Sequence, residues 1–105
     1  MSQPGTLDML KQARDLQKRM GRIQKKVERT RLEASAGGGM VTVVVNGNLD
    51  VLEVRIEDAL VADGDVKMLQ GLLVSAMNAA VKKAKDLMES EMKQVTGGLS
   101  LPGLP

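Results

Sequence analysis

The chain has 105 residues and contains no cysteine, no histidine and no aromatic residue. This length predicts one domain over residues 1–105, and the missing cysteine excludes disulfides, thiol catalysis and Cys-ligated zinc. The core must therefore consist of Leu, Val, Ala and eight Met, and dimerisation would enlarge it. We find neither a signal peptide nor an apolar run of membrane-spanning length, so we expect a cytoplasmic protein without a membrane partner.

Positive charge is concentrated in the first third of the chain. Residues 1–33 carry nine basic and four acidic side chains, whereas residues 34–105 carry six basic and nine acidic ones. A chain with this asymmetry presents a basic element to its partner, while its remainder stays acidic.

The first predicted element is a long helix. Pro4 and Gly5 are expected to precede it, and Thr6 or Asp8 is expected to cap its N-terminus. Apolar residues then recur with a period of 3.5 residues, and the series ends in a polar Thr. This period predicts that the helix packs on a partner helix. This apolar seam consists of Met9, Ala13, Leu16, Met20, Ile23 and Val27, followed by Thr30.

Basic residues occupy the opposite side and the margins of this predicted helix. Such a ribbon can neutralise successive phosphates of a nucleic acid and release their counterions. The alternative is a solvated face that only keeps the protein soluble. The candidate DNA-binding residues on this helix are Lys11, Arg14, Lys18, Arg19, Arg22, Lys25, Lys26 and Arg29. A smaller basic cluster, for which a solvated surface is the favoured interpretation, contains Lys82, Lys83 and Lys85.

Three short strands are predicted to follow the first helix. Residues 33–36 can form an edge strand, three glycines at 37–39 provide a tight or bulged connection, and residues 40–45 are rich in β-branched side chains. Asn46-Gly47 is predicted to form a two-residue type I′ turn into residues 51–56. That turn would place one apolar set on a single sheet face, namely Val41, Val43, Val45, Leu52, Val54 and Ile56.

A second long helix is predicted after Asp63 or Asp65, either of which can serve as its N-cap. Gly97-Gly98 is expected to end the helix, and residues 97–105 are expected to form a loosely ordered tail. The predicted apolar stripe of this second helix suits a helix that lies on a sheet. It contains Val66, Leu69, Leu72, Leu73, Ala76, Met77, Ala80, Ala84, Leu87 and Met88.

The sequence offers no arrangement suited to catalysis. Without His, Cys or Tyr, acid–base chemistry would fall to scattered carboxylates and lysines. The glycine triplet lacks the Lys-Ser/Thr pair of a phosphate loop, and Asp63-Gly64-Asp65 has too few oxygen ligands for calcium. We therefore expect a non-enzymatic protein without catalytic residues, metal, cofactor or small-molecule substrate.

Several segments, taken in order, resemble the YbaB/EbfC family of small bacterial nucleoid-associated proteins. They are the Lys/Gln/Met-rich opening of the first helix from Leu10 to Met20, Gly38-Gly39-Met40-Val41-Thr42-Val43, Asn46-Gly47, Val54-Arg55-Ile56, Leu72-Leu73-Val74-Ser75-Ala76-Met77-Asn78-Ala79-Ala80, Met92-Lys93-Gln94-Val95-Thr96-Gly97-Gly98-Leu99 and Leu101-Pro102-Gly103. Each segment is common on its own, but the ordered set is specific. The chain departs from the family pattern at Glu57-Asp58 (often Asp-Pro), Met77 (often aromatic) and Ala79 (commonly Asp).

The resemblance implies an α+β protomer with a long helix, a three-stranded antiparallel sheet and a second long helix. It also implies a tweezer-like homodimer that binds DNA, associates with the nucleoid, and organises it or regulates gene expression. The alternative from another class is a dimeric protein-interaction or chaperone-like module without direct DNA binding. Retention on heparin or DNA resin that falls steeply with salt would favour the DNA-binding interpretation.

Overall fold

The computed structural model describes residues 4–96. The predicted order of helix, three strands and helix is confirmed, with one additional short helix between the sheet and the last helix. The elements are α1 (Pro4–Arg29), β1 (Arg31–Ala36), β2 (Val41–Asn46), β3 (Val51–Ile56), α2 (Asp58–Ala62) and α3 (Val66–Thr96). The predicted helix end at Gly97-Gly98 and the predicted tail at 97–105 lie outside the described residues.

The three strands form an antiparallel sheet in the order β1-β2-β3, and α3 packs mainly on β1 and β2. Because α3 does not extend over β3 to the same degree, that strand keeps large apolar side chains exposed, namely Val51, Leu52 and Val54. The core between sheet and helix is made of small aliphatic side chains, namely Ala34, Val41, Val43, Val45, Leu60, Ala76 and Ala80.

The N-terminus of α3 matches the sequence prediction. Oδ1 of Asp65 accepts a hydrogen bond from the Met68 N–H (3.0 Å). Of the two candidates, Asp63 and Asp65, it is therefore Asp65 that caps the helix. Two residues assigned to the apolar stripe of this helix, Val66 and Met77, are exposed instead. Val66 lies in the first turn of α3, and Met77 lies about 100° around the helix from its fully buried neighbour Ala76.

The connection between β2 and β3 differs from the predicted type I′ turn. The positive φ occurs at Leu49 (68°) and not at Asn46 or Gly47. Asn46 Oδ1 accepts hydrogen bonds from the N–H groups of Asn48 (2.9 Å) and Asp50 (3.0 Å), which closes a longer loop. Val45 pairs with Val51 after a register shift between Val44 and Val45, so Leu52, which was predicted to share the face of Val45, does not lie opposite it. Further along the hairpin, Val43 pairs with Val54 and Val41 with Ile56, so these four residues share one face of the sheet, as predicted.

Gly47 is required by a long-range contact and not by the local turn. Its N–H donates a hydrogen bond to the Val27 carbonyl at the end of α1 (2.9 Å). A Cβ at this position would lie 2.3 Å from Val27 Cγ1 and 2.6 Å from that carbonyl oxygen. The glycine thus allows the backbones of α1 and the hairpin to meet.

Three further boundaries differ from the prediction. Pro4 and Gly5 belong to α1, because proline fits the first turn of a helix, where its missing N–H costs nothing. Strand β1 begins at Arg31, two residues earlier than expected. Helix α2 was not predicted at all, because its sequence shows no recognisable helical pattern. The glycine triplet does form the tight connection between β1 and β2, with φ values of 65°, 68° and 96°.

Within residues 4–96, no helix is both long and apolar enough to cross a membrane.

Candidate nucleic-acid interface

The first half of α1 projects away from the sheet. Residues 5–19 are all exposed, and the molecule measures 79 × 26 × 16 Å. Its radius of gyration is 20.7 Å, whereas a compact domain of this length would have about 13 Å. The chain therefore presents α1 as an arm and not as a face of a globular body.

The second half of α1 is held by α3 and the hairpin. Val27 is fully buried and Ile23 is half-buried, beside Val95 near the C-terminal end of α3. Lys26 Nζ lies 2.7 Å from Glu91 Oε1 of α3, and the Glu91 side chain is only 6% exposed. Together with the Val27–Gly47 hydrogen bond, these contacts fix the angle at which the arm leaves the sheet.

The basic ribbon lies on the outer side and the margins of this arm. Lys11, Lys18 and Lys25 are seven residues apart, which at 100° per residue places them opposite the apolar seam. Asp15 and Glu28 are the acidic residues within this stretch of the helix. All the sequence-predicted basic residues of α1 are exposed: Lys11, Arg14, Lys18, Arg19, Arg22, Lys25, Lys26 and Arg29.

The ribbon is densest near the base of the arm. One shallow depression there is lined by four basic side chains and the hydroxyl-bearing Thr30, with no carboxylate among the lining residues. Cations held around a concave surface raise the local concentration of anions, which suits the approach of a phosphate backbone. The four basic residues are Arg22, Lys25, Lys26 and Arg29.

The basic residues of α3 are placed differently. Lys83 donates a hydrogen bond from Nζ to the backbone carbonyl of Glu33, at the free edge of β1. A lysine at this position obstructs the pairing of another strand with that edge. Lys82 and Lys85 are exposed on the same helix. The structure thus groups the α1 residues on one arm and directs Lys83 to the sheet.

On the outer face of the sheet, arginine side chains form ion pairs with glutamates of the same sheet. Val44 is buried on that face, and it pairs with Glu33 on one side and Glu53 on the other. Arg55 forms ion pairs with both of these glutamates, and Arg31 forms one with Glu53 (3.4 Å). Because these guanidinium groups have carboxylate partners within the sheet, this face is a weaker candidate for binding phosphates than the arm.

The similarity of the chain to known proteins shows its family. The model of the YbaB/EbfC DNA-binding family matches residues 3–99. The chain belongs to the YbaB/EbfC DNA-binding family. It is 45% identical over 96 residues to a nucleoid-associated protein of Desulfotalea psychrophila, covering 91% of each chain. It is 43% identical over 97 residues to a nucleoid-associated protein of Clostridium acetobutylicum, covering 92% of this chain and 87% of that one.

A solved structure supports the fold. The chain resembles the crystal structure of an uncharacterised protein of Helicobacter pylori with a TM-score of 0.76 and 25% sequence identity. The match covers 92% of this chain and 100% of the other. The sequence resemblance to the YbaB/EbfC family and the α+β architecture are therefore both confirmed, whereas the roles of individual basic residues remain predictions.

Glu91 is a residue beside the candidate interface that sequence reasoning missed. It lies in register with the α3 stripe, seven residues after Ala84 and four after Leu87. A carboxylate on an apolar stripe signals a buried polar contact, since an unpaired buried charge is costly. The sequence held this signal, but the partner of Glu91 could be identified only from the packing of α1 on α3.

Neighbouring lysines of the arm are expected to behave differently. Lys26→Ala leaves Glu91 without its partner and should destabilise the fold by about 1 kcal/mol, because the lysine side chain is 59% exposed and screening reduces the cost. Lys25→Ala should change the free energy of unfolding by less than about 0.5 kcal/mol. Urea denaturation followed by circular dichroism measures both. Equal stabilities of the two variants would contradict a structural role for Lys26.

Proposed function

We propose that the chain is a nucleoid-associated protein that binds duplex DNA as a homodimer, through the basic ribbon of α1. The observation that carries this proposal is the ribbon itself: eight exposed basic residues on a projecting helix, in a chain that belongs to a DNA-binding family. The relatives named nucleoid-associated proteins support the same cellular role and a location on the nucleoid.

The ribbon has dimensions suited to a duplex. From Lys11 to Arg29 it extends for about 27 Å at 1.5 Å per residue, which equals the rise of about eight base pairs at 3.4 Å each. Lysine and arginine side chains along this length can reach successive phosphates. Contacts of this kind orient a protein on DNA without reading its sequence, so we expect affinity for duplexes of many sequences.

A second copy would serve both stability and binding. Among the described residues, the buried aliphatic side chains are valines, alanines and one leucine, while Val51, Leu52 and Val54 of β3 stay exposed. Apolar surface of this kind is favourable to bury against another chain. Two arms would also double the number of phosphates neutralised, and counterion release scales with that number.

The proposed activity is non-catalytic. Bound along DNA, such a dimer would act in nucleoid organisation or in the regulation of gene expression by occupying or joining DNA segments. Its partners in this proposal are DNA and a second copy of the chain.

Two measurements on the full chain test the proposal. Sedimentation equilibrium at micromolar concentration should give about twice 11.2 kDa. An electrophoretic mobility shift with duplexes of random sequence should show binding at 50 mM salt that is lost as salt rises, because phosphate contacts compete with free cations. A folded dimer that fails to bind DNA at 50 mM salt would contradict the proposal and favour the protein-interaction module.

A further inference from the structure

One of the four cations in the depression at the base of the arm already has a partner. Lys26 Nζ lies 2.7 Å from Glu91 Oε1 of α3. Within residues 4–96, the other three basic side chains of the depression form no ion pair. These three are Arg22, Lys25 and Arg29. The depression therefore combines three unpaired cations with one whose charge is shared with a carboxylate.

Lys26 lies between two arginines on one side of α1. Arg22 precedes it by four residues and Arg29 follows it by three, so the three side chains are neighbours on the helix surface, where like charges repel. Glu91 offsets this repulsion from the side of α3. The Lys26 side chain is nevertheless 59% exposed, so an anion can approach its ammonium group from the solvent.

A phosphate gains less from Lys26 than from Lys25. The Glu91 side chain is only 6% exposed, and a carboxylate that is both buried and unpaired is unfavourable, because water cannot solvate it. A phosphate that draws Lys26 away leaves Glu91 in that state. A phosphate that shares Lys26 with Glu91 instead meets the repulsion of a nearby negative charge. In both cases the binding free energy gained from Lys26 is reduced.

We propose that Glu91 limits the affinity of the chain for DNA by withholding Lys26 from the phosphates. The depression would then act with three cations, although four line it. This inference rests on the proposed function, since it concerns binding of DNA by the basic ribbon. It assigns to Glu91 a role in setting affinity, in addition to its contact between α1 and α3.

Glu91→Gln is the variant that tests this role. Glutamine has nearly the same shape, and its side-chain oxygen can still accept a hydrogen bond from Lys26. One released cation per protomer adds two phosphate contacts to a dimer, so affinity for a duplex should rise at least about tenfold at 100 mM salt. The slope of log K against log salt should become steeper by about 2. The double variant Glu91→Gln/Lys26→Ala should lose this gain, because the released cation is then absent.

Glu89→Gln is the matched control. It removes the same charge from an exposed position of the same helix, about 200° around the axis from Glu91. Its effect on affinity should stay below about threefold, because solvent and salt screen an exposed charge. Equal effects of the two substitutions, or an unchanged slope in Glu91→Gln, would overturn the proposal for Glu91 while leaving DNA binding intact. A wild-type chain that fails to bind the duplex at 50 mM salt would overturn the proposed function and this inference together.

A second measurement uses the wild-type chain and does not depend on the folding of a variant. Lysines of the full-length protein are acetylated with acetic anhydride, with and without a duplex, and the modified positions are identified by mass spectrometry. DNA should protect Lys25 at least about threefold more strongly than Lys26, because a phosphate contact shields the ammonium group that it engages. Equal protection of the two lysines by DNA would overturn the proposal.

Discussion

Replacing Lys18, Arg22 and Lys25 together by Ala is expected to weaken DNA binding at least about 100-fold at 100 mM salt. If each protomer neutralises about four phosphates, a dimer makes about eight contacts, and log K should fall against log salt with a slope of roughly −7. The triple variant removes six of these contacts from the dimer. Its slope should flatten to about −2, because about two phosphates would remain neutralised. The measurement is a salt titration of affinity for a duplex.

The matched control for this variant replaces Gln12, Gln17 and Gln24 by Ala on the same exposed helix. These substitutions shorten three side chains without altering charge, so affinity and salt slope should both stay near the wild-type values. Circular dichroism should show that both variants remain folded. If the folded triple variant keeps the wild-type affinity and slope, the ribbon is only a solvated face. The next candidates for DNA binding would then be Lys82, Lys83 and Lys85.

Gly47→Ala is expected to destabilise the protein by about 3 kcal/mol. The added methyl group would lie 2.3 Å from Val27 Cγ1 and 2.6 Å from the Val27 carbonyl oxygen. Relief requires the end of α1 to move away from the hairpin, which breaks the hydrogen bond from the Gly47 N–H. The melting temperature should fall by more than about 10 °C. Circular dichroism is the suitable probe, because the chain has no Trp or Tyr.

Gly21→Ala provides the control for this effect. Nothing lies within 4 Å of a Cβ placed on Gly21, and alanine is favoured over glycine inside a helix by about 0.5–1 kcal/mol. This variant should therefore be slightly more stable than the wild type at the same protein concentration. Stability of Gly47→Ala within about 0.5 kcal/mol of the wild type would contradict the close approach of α1 to the hairpin.

The elements with a strong local signal were predictable from the sequence. The β-branched residues of β2, the alternation along β3 and the cap at Asp65 each depend on near neighbours in the chain. The turn at Asn46-Gly47 was not predictable, because local preference for a type I′ turn is overridden by contact with Val27, twenty residues away. Helix α2 was missed because five residues with one buried leucine, Leu60, give no periodic signal.

The sequence predicted which basic residues form the candidate interface, but not which of them also have partners within the protein. Helical periodicity alone places Lys11, Lys18 and Lys25 opposite the seam. It cannot show that Lys26 is paired with Glu91 or that Lys83 contacts β1, because both contacts join elements distant in sequence. The exposure of Leu16 also depends on where α3 ends relative to α1, which no local pattern specifies.

The junction between Val27 and Gly47 has a mechanical consequence. The tip of α1 lies about 35 Å from this pivot, at 1.5 Å for each of the intervening residues. A rotation of 10° at the pivot would displace the tip by about 6 Å, close to the rise of two base pairs along a duplex. If α1 binds DNA as proposed, the angular precision of this junction would therefore influence which phosphates the far end of the helix reaches.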